Sequence, residues 1–196
     1  SQTAMGRCGF VHLKSDEGKI LDRVGSADIN ISIPIAFHVI YAYDYSGYVN
    51  TSSINSQITI LNTAFAEFGI SFYLLHTDYT KNDEWFYNDS NTESNYKEAL
   101  AIDPATVLNI YTTLHDEFLG YSYLPSDFSE DNYMHGVVLY FATLPGGWHE
   151  EWAYGDGDTG VHETGHYLGL LHTFENSCSS PGDFVEDTPD QYAGPN

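Results

Sequence analysis

The sequence predicts an α+β fold in which helices pack on a mixed β-sheet, and three observations carry that prediction. Short runs rich in β-branched and aromatic residues alternate with stretches of helical periodicity. Hydrophobic residues make up 42% of 196 positions, enough for one domain with a core of real size and no internal repeat. The stretch His162-Glu163-Thr164-Gly165-His166-Tyr167-Leu168-Gly169-Leu170-Leu171-His172 reads as a helix that stops sharply.

The elements follow in order. Residues 1–27 mix Gly, Lys, Asp, Glu and Ser with little periodicity and read as an extended leader, leaving 28–196 as the folded domain. Ile33, Ile35, Phe37, Val39 and Tyr41 alternate along the chain, and Ala36 and Ile40 between them are apolar too. That pattern predicts a strand covered on both faces, with Pro34 marking its beginning or an edge. Ser52 or Ser53 caps a helix whose Ile54, Ile58, Leu61, Phe65 and Phe68 form one stripe, ended by Gly69. Residues 70–76 read as a second strand, and 81–95 as a loop anchored by Trp85 and Phe86. Residues 96–102 read as a short helix stopped by Asp103-Pro104. Two more strands are predicted at 107–114 and 137–144, with a Tyr/Asp/Ser loop between them. Pro145-Gly146-Gly147 closes the last strand, and Asp158 or Thr159 caps the helix that carries the histidines.

Charge narrows the partners. Six basic residues against 28 acidic ones leave a formal charge of -22, which repels nucleic acid and anionic membranes. Solubility accounts for such a surface, and calcium sites or cationic peptide substrates are compatible with it. No apolar run has the length of a membrane span, and no hydrophobic signal segment opens the sequence, so any secretory signal is expected to have been removed. Asn30-Ile31-Ser32, Asn50-Thr51-Ser52 and Asn88-Asp89-Ser90 are glycosylation triplets that suit a secreted protein. With Cys8 and Cys178 as the only cysteines, this is no disulfide-stapled scaffold.

The 162–172 stretch carries the chemistry. Histidines four apart leave one face of a helix together and hold a single ion. The glycine three residues after the second histidine lets the backbone turn, which brings His172 round as a third ligand. Three protein ligands, His162, His166 and His172, leave a fourth position for water, the mark of a catalytic rather than a structural zinc. Glu163 stands beside the first ligand as general base. His12, His38, His76, His115, His135 and His149 lack such spacing and read as surface or core residues.

With this motif the sequence resembles the metzincin clan of zinc peptidases and, within it, the pappalysin family. Ile33-Pro34-Ile35-Ala36-Phe37-His38-Val39-Ile40, Asp103-Pro104-Ala105-Thr106-Val107-Leu108-Asn109-Ile110-Tyr111, Leu144-Pro145-Gly146-Gly147 and His172-Thr173-Phe174 are similar to family landmarks in family order. The resemblance implies a metzincin-like twisted sheet and a secreted zinc endopeptidase with its cleft between two subdomains. It also implies that 137–144 is the edge strand along which substrate lies extended.

Arg7-Cys8-Gly9 is similar to the tripeptide that blocks the zinc in the family's proforms, which makes Cys8 a fourth zinc ligand of a latent form. A Cys8–Cys178 disulfide and a free Cys8 are the competing readings; in the family, Cys178 would pair further downstream. Gly182-Asp183-Phe184-Val185-Glu186-Asp187-Thr188-Pro189 is similar to a calcium-holding segment, with Asp183, Thr188 and the Val185 carbonyl as candidate Ca²⁺ ligands; a plain acidic turn is the alternative. The family's methionine turn lies downstream of the third histidine, whereas the methionines here are Met5 and Met134. A truncated or latent enzyme is therefore expected, and a catalytically inactive zinc-binding module is the rival reading.

Overall fold

The computed structural model describes residues 30–87, 89–115, 118–146, 154–175, 182–185 and 188–189. The leader at 1–27, Cys8 and Cys178 lie outside the described residues.

Strand β1 (Ile31–Tyr41) is buried from Ile35 to Ile40, as the unbroken apolar run requires. Helix α1 (Thr51–Phe65) follows and continues as a 3-10 turn to Phe68. Gly69, at φ 68°, ends it. Its N-cap is Asn50, whose side chain accepts the Ser53 N–H at 2.9 Å. The predicted serine caps lie two or three residues too late, because asparagine caps as well as serine does. Ile54, Ile58, Leu61 and Phe65 are buried as predicted, but Phe68 is 59% exposed because it falls in the 3-10 turn, off the helical stripe.

Strand β2 (Ile70–Lys81) runs five residues beyond its predicted end. The predicted loop at 81–95 is instead largely helical, with α2 (Asp83–Tyr87) and α3 (Asp89–Leu100). The predicted helix at 96–102 is the second half of α3, whereas 89–95 is polar throughout and shows no apolar stripe; the buried face of α3 carries the Lys97 ammonium. That ammonium is 2.7 Å from Glu93 one turn back and donates to the Met134 carbonyl at 2.8 Å. Phe86 is buried and Trp85 packs beside it, so both anchor the segment as expected.

Three further strands complete the sheet: β3 (Leu108–Thr113), β4 (Gly120–Ser122) and β5 (Val137–Tyr140). The order is β2-β1-β3-β5-β4, all parallel except β4, which runs antiparallel to β5. This corrects the expectation that 137–144 forms the edge. Strand β5 lies between β3 and β4, and all four of its residues are buried. Beyond it, β4 is the last strand of the sheet on that side. Pro34 sits where β1 has only β2 as a partner, since pairing with β3 begins at Ile35.

One face of the sheet packs Ile35, Phe37, Ile110 and Leu139 against Ile54, Ile58 and Leu61 of α1. Helix α4 (Asp158–Tyr167), which carries the histidines, joins this layer through Val161 and Tyr167. The opposite face packs Ile40, Tyr111 and Val138 against Phe86 of α2 and Tyr96 of α3. A polar seam stitches β2, β1 and β3. His38 Nδ1 lies 2.6 Å from Asp78 on β2, and its Nε2 lies 3.0 Å from the Asn109 side-chain oxygen on β3. Asn109 is itself held by Ile102 and Val107 carbonyls at 3.0 and 3.1 Å. His38 is thus a core histidine, as its lack of partner spacing implied.

Candidate metal centre

Helix α4 starts without a side-chain cap. Its N-cap is Gly157 at φ 90°, not Asp158 or Thr159, and a left-handed residue there favours glycine. Helix α1 comes too close for more. Gln57, fully buried, donates its amide N–H to the Gly157 carbonyl at 3.0 Å. A Cβ on Gly160 would overlap that amide and lie 2.7 Å from its Cδ.

The other end of α4 is a Schellman turn. The Leu170 N–H donates to the Gly165 carbonyl at 3.0 Å, and the Gly169 N–H to the His166 carbonyl at 2.8 Å. Gly169 takes φ 99°, which only glycine adopts cheaply, and the chain reverses. The reversal aims the Leu170 carbonyl back at His166 Nδ1, 2.7 Å away. A carbonyl only accepts, so Nδ1 carries the proton and Nε2 of the neutral ring keeps its lone pair.

All three Nε2 atoms meet. His166 Nε2 lies 3.1 Å from both His162 Nε2 and His172 Nε2, which are 3.3 Å from each other. A tetrahedral zinc with nitrogens at about 2.0–2.1 Å has edges of about 3.3 Å, so the triangle fits that ion. Among the described residues, these three form the one group of histidine, cysteine and carboxylate side chains able to hold a metal. Burial, and then the like charge of neighbouring imidazoles, pushes His162 and His172 down to about 4; burial also lowers His166, against the opposing pull of the Leu170 carbonyl and Glu175. His162 is nonetheless exposed by area, so its shift is partly screened. Rings that resist protonation keep lone pairs for a metal.

Glu163, fully buried, is held under the edge strand. The Ser122 hydroxyl donates to the Glu163 carbonyl at 2.9 Å and stands 3.4 Å from its carboxylate Oε2. A Cβ on Gly120 would come within 2.9 Å of Glu163 Cγ and of Thr159 Cγ2, so β4 and α4 approach this closely only over a glycine.

Residues 108–195 match the peptidase M43 family model, described as pregnancy-associated plasma protein-A. An extracellular metalloprotease of Sordaria macrospora is 41% identical over 173 residues, covering 85% of this chain and 59% of that protein. One from Neurospora crassa is 40% identical over the same length and coverage. The chain belongs to the pappalysin family. It spans about 59% of the length of these curated relatives. The solved structure of Tannerella forsythia mature mirolysin in complex with a cleaved peptide superposes with a TM-score of 0.71 at 26% identity. That match covers 84% of this chain and 73% of mirolysin, and with it the metzincin-like fold is established.

A catalytic zinc is therefore implied by membership of the pappalysins. Of the three candidate calcium ligands, Asp183 is buried and accepts the Val185 N–H at 3.0 Å, and the Val185 carbonyl accepts the Thr188 N–H at 3.1 Å. Ser122, Gly120 and Gln57 went unnoticed in the sequence. A three-residue strand has no periodicity to read, and Gln57 meets the start of α4 at a residue 100 positions further along the chain.

Two outcomes are expected. Gly→Ala inside a helix ordinarily gains about 1 kcal/mol, but overpacking at Gly160→Ala should cost about 1–3 kcal/mol in urea unfolding. Combining it with Gln57→Ala should cost less than the sum, whereas strict additivity would mean Gln57 is not the obstacle. For the zinc-free protein, the lowered ring values mean that the unfolded chain binds more protons between the ordinary 6.5 and about 4. Stability should fall as pH drops through that window. A His162→Asn/His172→Asn variant should show a shallower fall, and identical urea midpoints against pH would contradict it.

Proposed function

We propose that this chain is the catalytic part of a secreted zinc endopeptidase, with 1–27 a leader and 28–196 the catalytic domain. The observation that carries this is the convergence of three imidazole Nε2 atoms on the helix that also bears Glu163. The names of the Sordaria and Neurospora relatives support extracellular proteolysis, and mirolysin with its cleaved peptide supports peptide hydrolysis. Among the described residues, no helix is long and apolar enough to cross a membrane.

His162, His166 and His172 would hold the ion. Zinc, when bound, acidifies a water and polarises the carbonyl to be cleaved. Glu163 accepts the proton of the attacking water and returns it to the leaving amine. Ser122 and Gly120 keep the carboxylate stem against β4 while it does so. The same strand, last in the sheet on the side of α4, offers its backbone to an extended peptide in place of the interior β5. A formal charge of -22 favours encounter with cationic peptides.

Glu163→Gln tests the reading. The variant should keep one zinc per chain and lose about 10²–10⁴-fold of casein hydrolysis, the usual worth of a general base. Undiminished hydrolysis would remove Glu163 from the mechanism. A zinc-loaded wild-type protein without any hydrolysis would leave a zinc-binding module instead.

A further inference from the structure

We propose that Phe174 is a positioning residue for His172 and that its phenyl ring raises the zinc affinity of the site. This rests on the zinc reading above. His162 and His166 leave consecutive turns of α4, where helical packing restricts their rotamers. His172 comes after the helix has ended and the chain has reversed at Gly169, so the helix cannot orient it. What orients it is a second turn. The Glu175 N–H donates to the His172 carbonyl at 2.9 Å, and this closure folds Phe174 back over the imidazole. The two rings lie 4.6 Å apart between centroids and 12° from parallel.

Phe174 is 39% exposed, so burial of this side chain is not what holds the fold together. Its contact with His172 acts on the site in two ways. A ring already held in place gives up less freedom when it binds an ion. An imidazole that has donated its lone pair to zinc is also electron-poor, and a phenyl face attracts it as it attracts a cation. Stacking is therefore stronger with zinc bound than without, and the difference appears as affinity. Groups that orient metal-bound imidazoles typically change metal affinity by about 10–100-fold.

The test is zinc affinity, measured by competition with a chelator of known strength, for wild type, Phe174→Ala, Phe174→Leu and Phe174→Tyr. Thermal midpoints of the four zinc-free proteins report on the fold. Phe174→Ala and Phe174→Leu should bind zinc about tenfold more weakly. Phe174→Tyr should stay within about twofold of wild type, because its ring still stacks. Zinc-free midpoints should coincide. Wild-type affinity in Phe174→Ala overturns the proposal, and so does wild-type affinity in Phe174→Leu, since an apolar cover would then suffice. A lowered zinc-free midpoint in Phe174→Ala also overturns it, by making the residue structural. A wild-type protein that binds no zinc defeats the reading of the site itself, independently of Phe174.

Discussion

Three imidazole Nε2 atoms must converge on one point, and holding them there is the constraint on which this site depends. Two of the rings come from one face of α4, and the third arrives only because the chain reverses at Gly169. The same reversal turns the Leu170 carbonyl onto His166 and so decides which ring nitrogen keeps its lone pair. One backbone turn thus supplies both the third ligand and the tautomer of the second. Placing His172 without that turn would need a long loop, whose ordering entropy would oppose metal binding.

The helix must itself be immobile for that geometry to persist, and three neighbours fix it. Gln57 of α1 holds the N-terminal end through the Gly157 carbonyl. Val161 and Tyr167 seat it in the apolar layer on the sheet. Strand β4 closes over Glu163, with Gly120 admitting the close approach and Ser122 bonding to its main chain. On the far face, His38, Asp78 and Asn109 tie the neighbouring strands β2, β1 and β3 together by polar contacts. The sheet therefore presents a stiff platform to α4.

What was legible in the sequence is what local rules govern. The strand at β1, the stripe of α1 through Phe65, the Gly69 stop and the histidine helix are all short-range patterns, and the structure holds each of them. The misreadings have long-range causes. The first half of helix α3 reads as loop because 89–95 is all polar, and its inward-facing Lys97, in the half read as helix, is held by Glu93 and by a carbonyl 37 positions away. Strand β4 was invisible because three residues have no period, and its pairing with β5 is not a local property. Assigning the edge to β5 ignored a clue in its own run of Val137, Val138, Leu139 and Tyr140, since continuous apolar strands belong inside parallel sheets. At the site the ligand set was readable from spacing, whereas the residues that support it reach α4 from other elements.

Zinc K-edge X-ray absorption on the purified protein addresses the central claim most directly. The account predicts one zinc per chain with three imidazole nitrogens at about 2.0–2.1 Å and one further light ligand. A protein that takes up no zinc, or a spectrum with fewer than three imidazoles around the ion, would contradict it.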